Sequence, residues 1–463
     1  MLDRAPTSPL HVDLRPAFAV ALGVLAAGCS LLIQHTTFAD PDGGASSDAG
    51  TREPDADAAG LDGAAPPDDA SSPLDAGCRS DTHSCSGTCV DLQSSMDNCG
   101  ACDRRCEAQW ICRNGECLDP PVAVTAAFDH TCTLRASGRV FCWGRNINGQ
   151  LGDGTVSPST VPVEVRELTD AVDVSAAGSD TAGTTCATRR TGQVRCWGAN
   201  NGAWSGGDRV SPEPINVPPA LAVAQSAFFG CALAAATGPH CWDWRTEPML
   251  VVASDRSGSW AQALSAGGGH ACAVTFDGRV YCHGENRYGQ LGVPRATLAS
   301  ATVFRSVPGL TQVAEVATSA DGTCVRRLDG SAACFGVAVS LASGGDALEE
   351  HPEPEEVLAV SDVHRIAGAQ MGHGTCAIHG PSRNVTCWGS DFARIGREGV
   401  VQSGGSPPAR LSGIEGATDV AVSAGHVCVV ADASVSCLGL GEFGQLGDGR
   451  ATSSADLVRV SLP

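Results

Sequence analysis

The 463-residue chain contains no lysine and only two tyrosines, and aromatic residues make up 5% of it. Every basic side chain is therefore arginine or histidine, and the 30 arginines face 51 acidic residues for a formal net charge of -21. A chain so poor in positive charge lacks the basic face that nucleic acid or an anionic membrane surface would need. Long hydrophobic runs are also missing. The one uncharged apolar stretch, Ala17 to Ile33, is 17 residues and sits at the low limit for a membrane span. The chain carries no HExxH, no GxSxG and no P-loop, so the common signatures of zinc proteases, serine hydrolases and nucleotide triphosphatases are excluded.

What is abundant is cysteine, 23 in all. That number means metal sites in a reducing compartment and disulfides in an exported protein. The N-terminus favours export. Arg15 precedes the apolar run PAFAVALGVLAAG, which ends at Cys29. LAAGC resembles the lipobox of bacterial lipoproteins, with Ala26 where leucine is usual. That resemblance implies lipidation of Cys29 and an outer-membrane or cell-surface location. Ordinary secretion and an uncleaved anchor are the alternatives.

Residues 1–29 thus read as an export signal and 30–77 as a linker. From Ala39 to Gly77 the chain is Asp, Ala, Gly, Ser and Pro, with ten acidic residues against Arg52 alone. Such a segment buries too little apolar surface to offset chain entropy and is expected to be disordered and extended. Residues 78–118 differ. Eight cysteines fall at 78, 85, 89, 99, 102, 106, 112 and 117 among few core side chains, so cross-links must hold this module. Eight cysteines leave 105 pairings open. The run CVDLQSSMDNCGACDRRC resembles the stigma-specific protein family, which implies an extracellular module and no particular activity.

Residues 119–463 repeat one device. In HTCTLRASGRVFCWG, two short strands flank the turn Ala136-Ser137-Gly138. Folding about that turn places Leu134 opposite Val140 and Cys132 opposite Cys142, within reach of a disulfide. The same spacing predicts Cys186–Cys196, Cys231–Cys241, Cys272–Cys282, Cys324–Cys334, Cys376–Cys387 and Cys428–Cys437. Successive first cysteines lie 41 to 54 residues apart. Extended segments such as AVDVSAA precede each hairpin and others such as VPVEV follow it, giving four strands per unit. Seven such units predict an all-β chain, a seven-bladed propeller behind the small module and the linker. Fourteen hairpin cysteines, eight in the module and one at the lipobox account for the whole set.

The stretch AGGGHACAVTFDGRVYCHGENRYGQLG, from Ala266 to Gly292, resembles the regulator of chromosome condensation repeat, as do His130 to Gly154 and part of Ala424 to Gly449. The resemblance implies the seven-bladed propeller fold, in a bacterial exported form given the N-terminus. It also implies a scaffold that binds proteins through blade loops, as a secreted bacterial β-lactamase inhibitor of this family does. Because the first repeat lacks an upstream PVxV segment, Leu457 to Val460 is expected to supply the fourth strand of the first blade and so close the ring.

The histidines His130, His270, His373 and His426 recur before first cysteines and match the family's structural G-x-x-H position rather than a metal ring. Trp143, Trp197, Trp242 and Trp388 follow second cysteines, and His283, Phe335 and Leu438 take their place elsewhere. Such tolerance points to inter-blade packing. Binding is assigned to the long loops after that position, with Trp204, Arg287 and Tyr288 as candidate contacts. The expected function is a surface-tethered, monomeric binding propeller with an unknown protein or glycan partner. No catalytic residue, metal or cofactor is expected, and the membrane is met only through the N-terminal lipid or anchor. A polysaccharide-acting enzyme at the propeller mouth and a purely structural envelope protein are the competing readings. Two carboxylates and an arginine clustered at one face would favour the enzyme.

Overall fold

The computed structural model describes residues 78–200, 207–243, 260–337, 349–389 and 408–463. The export signal, Cys29, the linker and Trp204 lie outside the described residues.

The cysteine-rich module is built on two hairpins, His83–Cys85 with Thr88–Val90 and Ile111–Arg113 with Glu116–Leu118. Its cysteines are bonded 78–89, 85–102, 99–112 and 106–117. Cys112 and Cys117 face each other across the second hairpin, yet each bonds outward. The hairpin is thereby tied at two points to the irregular chain that precedes it.

The rest is a seven-bladed propeller of antiparallel four-stranded sheets, with three strands described in the third blade. Blade 1 comprises Pro121–Ala126, His130–Arg135, Val140–Gly144 and Ser159–Glu164, running from the central channel outward. Blades 2 to 7 occupy 171–214, 220–243, 261–306, 313–356, 363–410 and 417–459. In every blade the second and third strands carry the cysteine pair on the same rung, with Cα atoms 3.9–4.1 Å apart and the sulfurs bonded. That closeness marks the narrow, non-hydrogen-bonded kind of rung, where side chains approach most nearly.

A single blade has too thin a core to stand alone, and the apolar side chains gather at the joints. Seven hydrophobic clusters occur, one between each pair of neighbouring blades, including blade 7 with blade 1. The residue after the second cysteine belongs to these joints. Trp143, Trp197, Trp242, Phe335, Trp388 and Leu438 each pack against the preceding blade. His283 takes this position in blade 4, its ring 5.9 Å from that of Phe229 in blade 3 and 4.4 Å from that of Phe304.

The inner strands form the channel wall, and their free edges would leave backbone N–H groups without partners. Side chains of the preceding blade accept from them. At the third position of the inner strand, Asp419 accepts from Val124 N at 2.8 Å, Asp173 from Val223 N at 2.8 Å and Glu315 from Ile366 N at 3.3 Å. Two residues further along, Thr125, Ser175 and Ser265 do the same for Ala176, Gln225 and Thr318 at 3.0–3.1 Å.

Ring closure differs from the expectation. The last strand, Ser454–Arg459, pairs with the third strand of blade 7 and not with blade 1. Blade 1 already has its own fourth strand, with Cys142 opposite Val163 and Phe141 opposite Glu164. The outer strand follows its hairpin in each unit rather than preceding it, so blade 1 lacks nothing for the C-terminal segment to supply. Closure instead uses the joint found elsewhere. Thr131 of blade 1 hydrogen-bonds His426 at 2.7 Å, and Thr131 Oγ1 and Trp143 Nε1 both donate to the Gln445 carbonyl, at 2.9 and 2.8 Å.

Candidate partner-binding face

In an antiparallel meander the first and third connections leave each blade at the same end. Backbone bonds tie them together: Arg145 N donates to Asp129 O, Glu285 N to Gly269 O and Leu440 N to Gly425 O. The described long loops, those of blades 1, 4 and 7, therefore rise on one face of the ring. The sequence N-x-x-G-Q-L-G braces them from within. Asn146 Oδ1 accepts from Leu151 N, and Asn286 Oδ1 from Leu291 N, at 2.9 Å. The glutamine side chains of Gln150, Gln290 and Gln445 accept from the N–H two residues earlier, at 2.8–2.9 Å. Those two-residues-earlier positions are Asn148, Tyr288 and Phe443.

The last glycine of the motif allows the loop to lie on the next blade. Gly447 has φ +72°, and a Cβ there would stand 2.7 Å from the Trp143 indole nitrogen. Buried histidines complete the bracing. His130, His270 and His426 hydrogen-bond Thr185, Thr323 and Thr131 of the following blade at 2.7–2.9 Å. Each of those threonines donates in turn to the glutamine carbonyl of the motif. Burial pushes the imidazole of His270 down to about 4, and those of His426 and His283 down to about 3. His373 stands apart, half-buried and 3.1 Å from Asp321. The recurring histidines thus act between blades and do not converge on a common centre.

On this framework the outward side chains include apolar, cationic and acidic groups, with Ile147, Arg287 and Glu442 at one motif position. Arg287 is exposed and lies over the Tyr288 ring at 5.4 Å. Two features escaped the sequence reading. Arg145 of blade 1 lies over Phe443 of blade 7 at 4.9 Å, held by Asp129 Oδ2 at 3.3 Å and the Asp180 carbonyl at 2.6 Å. Ile147, two residues on, is 48% exposed. Ile147 and Phe443 occupy the motif positions of Arg287 and Tyr288, a correspondence visible once the GQLG segments are aligned.

Inside the channel lies a charged cluster. Arg365 Nε bonds Asp419 at 2.8 Å and its Nη1 bonds Glu315 at 3.0 Å, while Arg326 also reaches Glu315 at 3.1 Å. The two carboxylates hold Arg365 in its charged form. Enclosure by the wall pushes the Asp173 carboxyl up. Their signal in the sequence was the third residue of each inner strand, as in AVDV, VAEV and ATDV. Among the described residues, two sets of side chains have the spacing of metal ligands, Cys99/Cys106/Cys112 and Cys231/Cys241/His283. All five cysteines are bonded in disulfides, so they offer no thiolate.

Residues 137–182 and 261–290 match the family described as regulator of chromosome condensation (RCC1) repeat. The chain carries RCC1 repeats. Residues 71–140 match the stigma-specific STIG1-like protein family. Among relatives, the ultraviolet-B receptor UVR8 of Arabidopsis thaliana is 27% identical over 183 residues, 35% of this chain and 41% of that protein. The human E3 ubiquitin-protein ligase HERC2 is 24% identical over 328 residues, 69% of this chain and 6% of that protein. The chain thus spans less than half the length of these relatives. The crystal structure of human WBSCR16 shares the fold, with a TM-score of 0.60 at 18% identity, covering 70% of this chain and 94% of that one. RCC1-like propellers mediate protein interactions, which fits a binding role for this ring. The many disulfides suggest an extracellular or secreted protein.

Proposed function

We propose that this chain is a binding propeller that engages a protein or glycan partner through the face of braced loops, at the cell envelope or surface. The observation that carries the reading is the internal bracing of the N-x-x-G-Q-L-G loops. A surface already held in place loses little conformational entropy when a partner docks, and exposed aromatic and arginine side chains are favoured contacts. Arg287, Tyr288, Arg145, Ile147 and Phe443 are the contacts assigned here, with Trp204 as a sequence-based candidate on the loop of blade 2. The seven hairpin disulfides and the lipobox-like end at Cys29 support an exported, lipid-anchored protein of bacterial type. The acidic charge supports a partner other than nucleic acid.

The cluster of Asp173, Glu315, Asp419 and Arg365 is the observation that favours the enzyme reading. Its carboxylates, however, bond to neighbouring blades, an arrangement suited to holding the ring. Photo-cross-linking tests the choice. A photoreactive residue at Ile147 or Tyr288 should give a discrete adduct in an envelope extract, and one at Leu328, in a turn of the opposite face, should not. Equal labelling from both faces would refute the binding face. Non-reducing mass spectrometry of the same fraction reads the mature N-terminus and the acylation of Cys29.

A further inference from the structure

The inner strands end at the loop face, so their first residues ring the opposite mouth of the channel. On three successive blades the second residue of the inner strand is a large apolar one left in water. Val122, Val172 and Leu221 are 46%, 45% and 54% exposed. Blades 4 to 7 place Gln262, Ala314, His364 and Thr418 there. One side of the mouth is therefore an apolar crescent, and side chains of that size grouped in water mark a surface that meets something else.

One residue further in, the strands carry three carboxylates, Asp173, Glu315 and Asp419, against the guanidinium of Arg365. Arg326 of blade 5 adds a second cation. Both cations are engaged elsewhere, Arg326 on Glu315 and Arg365 on Glu315 and Asp419. Asp173 forms no salt bridge among the described residues. Its Oδ2 accepts from Val223 N at 2.8 Å, and Arg365 acts on it only at longer range. Three carboxylates against two guanidiniums leave one negative charge in excess, and it falls on Asp173. The blades on either side place Ala123 and Ala222 at its level, so no long side chain fills the space beside the carboxylate. Desolvation pushes this carboxyl up, a cost that an arriving cation would offset.

The other end of the channel is narrowed. The connection 369–374 of blade 6 reaches past blade 5 to blade 4, where Gly268 N donates to the Gln370 carbonyl at 2.6 Å. Ala320 N of blade 5 donates to the Gly372 carbonyl at 2.8 Å. Gln370 Oε1 is buried in this strap without a donor. The channel is thus entered from the apolar mouth, and acceptors short of a donor lie within. We propose that it binds a small organic cation, a primary ammonium on an aliphatic stem, with the charge on Asp173 and the stem along Val122, Val172 and Leu221. An ionised donor on a carboxylate makes the stronger kind of hydrogen bond, and each methylene laid on the crescent leaves water. The site is independent of the loop face.

The test uses the full chain and n-hexylammonium, read by titration calorimetry. The amine should bind at a single saturable site, and n-hexanol, of equal stem, should bind about tenfold more weakly or not at all, the scale of a lost charge-assisted pair. Asp173→Asn can still accept from Val223 N and should weaken the amine by about tenfold. Leu221→Ser, on the exposed rim where the fold is not at stake, should weaken it by about threefold. Arg287→Gln on the loop face should leave it unchanged. No saturable binding by the wild-type chain, equal binding of hexanol, or an unaffected Asp173→Asn or Leu221→Ser variant would overturn the assignment. Displacement of the amine by magnesium would overturn it in favour of a metal site. Tighter binding of acetyl-Gly-Lys-Gly-amide would overturn the free amine in favour of a partner's side chain.

Discussion

His283 shows what one substitution at a repeated position does. Blades 1, 2, 3 and 6 place tryptophan there and blade 5 places Phe335, while blade 4 buries an imidazole 3.2 Å from the Cys241 sulfur. An unfolded histidine titrates near 6.5, whereas His283 and His426 resist protonation down to about 3 and His270 to about 4. Stability is therefore complete above about pH 6.5 and falls as the pH drops toward 4. The loss is about 1.4 kcal/mol per pH unit for each such histidine. Melting followed by circular dichroism between pH 7 and pH 4.5 should show a steep decline, and His283→Phe should make it shallower. An identical slope in the variant would show that burial of this imidazole carries none of the acid sensitivity. Arg365 is the second informative residue. Replacing it by methionine leaves Asp419 without a cation and Glu315 with Arg326 alone. We expect a loss of about 2 kcal/mol, less than for a fully buried pair because the guanidinium is half exposed to the channel. Adding Asp419→Asn should recover part of it in urea titrations.

The hairpins show why so much of the ring was legible. Cysteine spacing, a turn glycine and alternating apolar residues all specify one register, and a slip of one residue would send every side chain to the other face. Blades 6 and 7 have cysteines 11 and 9 apart in sequence rather than 10, yet keep the same rung. The turn absorbs the change. In blade 7, Asp432 and Ala433 take φ of +49° and +55°, the left-handed pair that a tight two-residue hairpin requires. The outer strands were less legible, because a V-x-V segment between two hairpins has no local mark saying which it joins. The clasp expected at Leu457 to Val460 failed on that ambiguity. The binding loops were legible only in part: Arg287 and Tyr288 stood out by type, while Arg145 with Phe443 needed two blades brought together. The module's four bridges were not legible, since no local geometry relates Cys99 to Cys112. Removing one hairpin bridge, with Cys132→Ala and Cys142→Ala together, should lower unfolding free energy by about 2–3 kcal/mol, the chain-entropy value for so short a loop. An unchanged urea midpoint would assign the stability to the joints alone.

At the scale of the molecule, stability follows from neighbours. Each blade contacts two others, and seven equivalent clusters share the apolar burial, so damage at one joint should weaken the ring as a whole. Deleting residues 454–463 removes the outer strand of blade 7 together with Val460 from the cluster at the closing joint. It should lower the melting temperature, and the loss should exceed that from deleting the outer strand of blade 4, Ser300–Ser306, only if the closing joint is the weakest. Similar losses are expected, because that joint uses the same histidine, threonine and glutamine bonds as the joint between blades 4 and 5.

That equivalence makes the order of the blades along the polypeptide a matter of convenience. The chain end at Pro463 already touches Arg135 at the start of the ring. A circular permutant that links residue 463 to residue 119 and opens between blades 4 and 5 should assemble the same disk, with its new termini at a formerly interior seam.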